Sequence, residues 1–155
     1  MGIGAYTLGL AARAGVTTAN APLYELKAAA SDRARVREIQ LSIAVASTTI
    51  PNFVLARSTN SSVATGAVTP LPEDPADGTA TAVLATAWTT APTFSTTGPW
   101  LKRWDPPNTV GQFVIWSWPP GDELIVPVSG GLVIANLAAS GATTGSTALS
   151  IRYAE

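Results

Sequence analysis

The chain contains no cysteine and no histidine. The first absence excludes disulfides and thiolate chemistry. Together the two remove the commonest ligands of transition metals and the side chain that ordinarily titrates near neutral pH. Ser–His and Cys–His nucleophile pairs go with them. Charge is scarce as well. Charged residues are 12% of the 155, against roughly 25% in an ordinary domain. Net charge is −1 with no long basic run, which argues against nucleic-acid binding by phosphate neutralisation. No apolar run approaches the ~20 residues of a membrane-spanning helix, so no membrane partner is expected. The N-terminal MGIGAYTLGLAARAG is interrupted by Gly2, Gly4 and Gly9. With no positive residue before its apolar part, it makes a poor signal peptide.

Hydrophobic residues make up 46%, and much of the remainder is Thr, Ser, Gly and Pro. Disordered chains are typically polar and charged, so this is not their composition. The length suits about one domain, able to bury roughly 70% of its unfolded surface without a staple. An all-β domain with a weakly charged surface fits these facts. The low charge has two readings: an unusual host composition, or surface buried against partner chains, where charge is costly.

Residues 111–137, GQFVIWSWPPGDELIVPVSGGLVIANL, hold three short apolar runs at 112–118, 123–128 and 132–137. Pro119-Pro120-Gly121-Asp122 and Ser129-Gly130-Gly131 separate them. Such runs, bounded by turn residues, read as strands. Joined by tight turns they predict a three-stranded antiparallel meander, which needs a second layer over its apolar face. Residues 35–46 give the clearest period of two. Ile39, Leu41, Ile43 and Val45 face one way; Glu38, Gln40, Ser42 and Ala44 face the other.

Counting from residue 35, eight strands are predicted: 35–46, 53–57, 79–88, 99–104, 111–118, 123–128, 131–137 and 146–153. Residues 23–30 read as an edge strand. Residues 1–21 form an N-terminal arm or edge strand, and 22–155 a single β-sandwich domain. The expected fold is all-β, a two-sheet antiparallel sandwich of jelly-roll type. An immunoglobulin-like sandwich lacks its Cys–Trp–Cys landmarks here. Residues 58–78, with Pro70, Pro72 and Pro75, form a loop of the length that is usually functional or partner-bound.

The search for chemistry finds little. Lys27 and Lys102 sit in no nucleophile motif. Glu73-Asp74 and Asp122-Glu123 are adjacent pairs, whose side chains usually diverge rather than flank a scissile bond. Glu73, Asp74 and Asp77 do not have EF-hand spacing. The Gly- and Thr-rich run 141–146 lacks the lysine of a phosphate loop. No enzymatic activity, metal or cofactor is expected. Trp116 and Trp118 share one strand face, and Trp100 and Trp104 another. Such tryptophans serve as core, as anchors of a protein interface or as a sugar platform.

Two segments carry apolar side chains without an evident place in their own fold. One is 4–10, with Tyr6, Leu8 and Leu10; the other is 68–77, with Val68, Pro70, Leu71 and Pro72. Proline lacks the N–H of a sheet ladder, so the second cannot be an ordinary central strand. Apolar segments left over in this way are candidates for burial against another subunit. With Trp100 and Trp104 they make the candidate interface.

In order and spacing, several stretches resemble a family of small tailed-phage structural proteins, the jelly-roll capsid decoration (cement) proteins. They are AYTL at 5–8, AAASDRARVREIQL at 28–41, LARSTN at 55–60, PLPEDPAD at 70–77, TAW at 86–88, AP at 91–92 and VIWSWPPGDELIVPVSGGLVIANL at 114–137. The resemblance implies a non-enzymatic virion part on the outer capsid surface, assembled in the host cytoplasm. Its partners would be the major capsid protein and itself, as a homotrimer. Two other functions fit the composition: a carbohydrate-binding β-sandwich module, and a fibre base or tail-tip piece of the same fold.

Overall fold

The computed structural model describes residues 4–14, 20–58, 63–137 and 145–155, without the side chains of 11–14. The strands are β1 (Ala5–Ala14), β2 (Ala21–Lys27), β3 (Ala34–Val45), β4 (Phe53–Arg57), β5 (Val63–Val68) and β6 (Leu71–Pro72). They continue with β7 (Val83–Thr90), β8 (Lys102–Trp104), β9 (Phe113–Ser117), β10 (Leu124–Val126), β11 (Gly131–Asn136) and β12 (Ser146–Ala154). Two antiparallel sheets face each other. The first runs β10-β3-β12-β1-β6, with β9 also on β3; the second runs β5-β7-β2-β11-β4-β8.

The pairing has one simple rule. β1, β2, β3 and β4 pair with β12, β11, β9 plus β10, and β8 in that order. A long antiparallel ribbon has been wound into two layers, which is the jelly-roll topology. The antiparallel pair of β5 and β7 is added beside β2.

Period two selects the core. Ile39, Leu41 and Ile43 of β3 are buried, as are Leu149, Ile151 and Tyr153 of β12. Opposite them stand Tyr24, Leu26, Leu55, Leu84, Leu132 and Ile134 of the second sheet, in one cluster. Across the layers the Tyr24 hydroxyl donates to the Thr147 carbonyl at 2.7 Å. The C-terminal residue adds a second tie: the Glu155 carboxylate accepts from Thr81 N–H at 2.8 Å and Ala82 N–H at 2.6 Å.

Several expectations are corrected. Of the two readings of the N-terminal segment, arm or edge strand, residues 5–10 take the strand: they lie in β1, hydrogen-bonded to β12 and, at Tyr6 and Thr7 alone, to the short β6, with Tyr6 and Leu8 both 6% exposed. β1 and β2 both belong to the eight-strand frame. β2 is not an edge strand; it lies between β7 and β11. The three runs of 111–137 do not form a meander. β9 and β10 lie end to end along β3, and β11 is in the other sheet. The segment between β9 and β10 steps out of the sheet and back without reversing the chain. Asp122 N–H donates to Pro119 O there at 3.0 Å, and Gly121 takes φ +97°, a conformation open to glycine. The expected loop 58–78 contains β5 and β6.

Candidate docking face

The outer faces of the two sheets are not alike. On the second sheet, Val54, Ala56, Val133 and Ala135 are covered by Phe94, with Trp100 packed against them. Both come from the segment between β7 and β8. The Trp100 indole donates to Ser95 O at 2.8 Å, which pins that cover in place. Such a sheet is apolar on both faces, and β11 is accordingly buried along its whole length.

The first sheet carries no such cover among the described residues. Cross-strand partners share a face, so the register lays out its outer surface in rows. One row is Leu71–Thr7–Arg152–Glu38–Ser117; the next is Gly9–Ser150–Gln40–Ile115; a third is Ala148–Ser42–Phe113. The middle is small and uncharged. There Gly9, Leu10, Gln40, Ser42, Ala148, Leu149 and Ser150 line an open depression of ≈ 270 Å³. One margin is apolar and exposed: Phe113 59%, Ile115 48% and Ile125 42%, with Val128 beyond. At the far margin Leu71 is 69% exposed. A shallow neutral floor between apolar margins suits burial against a protein surface. By contrast, the half-open pocket at one end of the sandwich is ≈ 30 Å³, room for a few water molecules at most.

On this face Arg152 is paired with Glu73. The Arg152 guanidinium donates to both Glu73 oxygens, at 2.8 and 3.1 Å. This fixes the segment after β6 against β12, next to the bond from Glu73 N–H to Ala5 O at 2.7 Å. The hydrogen bond from Arg152 is the main cause holding the Glu73 carboxyl below its ordinary 4.5. A depressed carboxylate stabilises the fold above its unfolded value, and that contribution is lost as pH falls through the folded value. Solvent exposure keeps it to at most ~1 kcal/mol. Acidification below 4.5 is expected to lower the protection of the Glu73 amide, taken relative to its intrinsic exchange rate at each pH, before the core amides of β3 respond. Glu73→Gln should show the lower protection already at neutral pH. Equal protection in both proteins at both pH values would show that the ion pair does not hold this segment.

Of the predicted interface residues, Leu71 alone is fully exposed on the candidate face. Tyr6, Leu8 and Pro70 are buried, and Pro72 is half-buried. Leu10, Val68 and Trp104 pack on the main core. Their own fold accommodates them because β1 is a full strand and Pro72 sits at an edge, where its missing N–H costs nothing. Trp100 and Trp104 do not share a face. Trp104 stacks on Phe53 at 5.6 Å inside the sandwich, whereas Trp100 lies on the outer cover with Arg103 over its ring at 5.6 Å. Pro99, after a cis bond, precedes β8, and the strand begins only at Lys102; alternation therefore does not reach back to Trp100. Trp116 and Trp118 do share the inner face. Phe113, Ile115, Ile125 and Val128 were not singled out from the sequence. Their signal was present: FVIWS is apolar on both faces, and a strand with one face on the core has no internal use for the other. Among the described residues no three Asp or Glu side chains converge as metal ligands. No family model, curated protein or solved structure matches the chain.

Proposed function

We propose that this chain is a non-enzymatic structural protein of a phage virion. It docks on the outer surface of the assembled capsid and bridges neighbouring major-capsid subunits. The observation that carries this reading is the bare outer face of the first sheet, with exposed Leu71 on one margin and Phe113, Ile115 and Ile125 on the other. The sequence resemblance to capsid decoration proteins supports it, as does the low charge. Docking of this kind stabilises a shell by mass action, because the added contacts exist only in the assembled state. The sugar-platform reading loses its support, since Trp100 and Trp104 lie on opposite sides of their sheet.

The test uses empty capsids of the phage that encodes the chain, prepared without it. The protein should sediment with these shells and raise their melting temperature. Leu71→Asp together with Ile125→Asp should abolish both effects while leaving the free protein folded, because both side chains are exposed. Failure of the unaltered protein to sediment with the shells, or retention of the double variant on them, would refute the reading.

A further inference from the structure

Sheet edges are ordinarily kept from pairing with other chains by proline, bulges, charge or very short strands. Nearly every open edge here carries such a device. β6 is two residues long and one of them is Pro72. Beyond β6, β1 has a register shift between Leu10 and Arg13. β5 shifts register repeatedly against β7. β8 is short and carries Lys102 and Arg103. β10 is three residues followed by Pro127, and Arg57 donates to its Ile125 carbonyl at 2.7 Å. Within Phe113–Ser117, β9 has none of these; two residues, Gly111 and Gln112, bond to Ile43 before it, Pro119-Pro120 comes only after Trp118, and from Val110 to Gly121 the chain bears no charge.

Backbone bonds at its two ends show which groups of β9 face the open side. Ile43 N–H donates to Gln112 O, and Trp118 N–H donates to Arg37 O, both at 2.8 Å. Bonding direction alternates along an antiparallel strand, so the even-numbered residues face β3. The N–H and C=O groups of Phe113, Ile115 and Ser117 therefore point outward. Their side chains stand on the candidate docking face, with Phe113 and Ile115 exposed.

The geometry points to a second copy of this chain as the occupant: β9 pairs antiparallel with β9 of another copy about a two-fold axis at Ile115. In that register Ile115 meets Ile115, and Phe113 meets the small Ser117. The bulk of each Phe113 then lies diagonally against the other copy's Ile115, the reach of cross-strand packing. Further out, Gln112 meets Trp118, and the ladder ends there because Pro119 has no N–H to donate. A two-fold interface sets each patch against itself, so any charge near the axis would meet its like. This segment has none, and it offers no charge by which a foreign strand would be selected. The pairing fuses two first sheets into one. It goes beyond the capsid-docking reading and does not depend on it, because it is a property of the free protein.

The lack of cysteine makes the register directly readable. At the two-fold, paired Cα atoms of an antiparallel hydrogen-bonded pair are about 5.5 Å apart, within disulfide range. Ile115→Cys should oxidise to a covalent dimer. Ser117→Cys alone should not, whereas Phe113→Cys with Ser117→Cys in one chain should. The unaltered protein should reach twice the 15.9 kDa chain mass as concentration rises. Ile115→Lys should weaken pairing by on the order of 100-fold through like-charge confrontation at the axis, with an unchanged fold. Leu71→Lys, on the opposite margin, should leave pairing intact. A single-chain mass at every concentration, a mass of three chains, or equal cross-linking at positions 115 and 117 would overturn the proposal.

Discussion

Removing the first ten residues is expected to abolish the cooperative fold. Tyr6 and Leu8 are both 6% exposed and belong to the main core. Tyr6 stacks on Tyr153 at 5.5 Å. Loss of a buried leucine side chain costs about 2–5 kcal/mol, and loss of a large aromatic about 3–5. A domain has about 5–15 kcal/mol in total. The truncation also strips the partner from Tyr153, Ile151 and Leu149 of β12 and from Leu71 and Pro72 of β6. Urea unfolding followed by near-ultraviolet circular dichroism is the measurement. Tyr6→Ala and Leu8→Ala, taken singly, should lower the midpoint by amounts matching those costs. A truncated chain with an unchanged midpoint would remove β1 from the core and restore the free-arm reading of residues 4–10.

The parts of this fold that were legible in the sequence are those where one face is buried and the other wet. β3 announced itself through Ile39, Leu41 and Ile43, and β12 through Leu149, Ile151 and Tyr153. Their outward neighbours Gln40, Ser42 and Ser150 complete the alternation. Even in β3 the period slips twice. Ala34 and Val36 are buried as well as Ile39, and the register against β12 shifts beside Arg37, which is the extra residue of a bulge. At the other end, Val45 was placed inward by simple alternation. It is 52% exposed because the register shifts again between Ser146 and Thr147.

What stayed hidden depends on long-range pairing. The alternation of Tyr6 and Leu8 with Thr7 and Gly9 is a good strand signal, but nothing local says that β12, about 140 residues away, supplies the partner. β2 is buried on both sides, because Tyr24 faces the other layer while Glu25, 1% exposed, lies under Trp88 on the opposite face. Continuous burial erases the alternation by which a strand is recognised. Pro119-Pro120-Gly121-Asp122 has the composition of a hairpin turn. Whether such a segment reverses the chain or steps around an obstacle is settled by the next strand's partner, and Leu124–Val126 finds that partner in β3 again. The candidate face was half legible. Leu71 was named for the right property, exposed apolar surface beside a proline. Phe113 and Ile115 are hard to read in the sequence because Val114 and Trp116 alternate with them, so no polar residue marks the outward face.

That same strand provides the sharpest separation of folding from docking. Trp116 and Phe113 are three residues apart in β9, yet alternation turns them to opposite faces. Trp116 is 7% exposed and part of the core; Phe113 is 59% exposed. Trp116→Ala should therefore cost about 3–5 kcal/mol, while Phe113→Ser should stay within about 0.5 kcal/mol, as surface changes do. Measured in dilute solution, where copies are apart, the first variant should melt far earlier and the second with the unaltered protein. Binding should reverse the order of damage. Phe113 lies on the margin of the docking face but close to the axis of self-pairing, where an aromatic carries a disproportionate share of the energy, so Phe113→Ser should weaken self-pairing by on the order of 10-fold or more and capsid attachment by less. Trp116→Ala, below its melting temperature, keeps the outward side chains and should still attach. If Phe113→Ser lowered the stability of the dilute protein as much as Trp116→Ala does, Phe113 would be a core residue and the docking face would lose its margin. If it left both kinds of association untouched, the exposed row on β9 would have no part in binding.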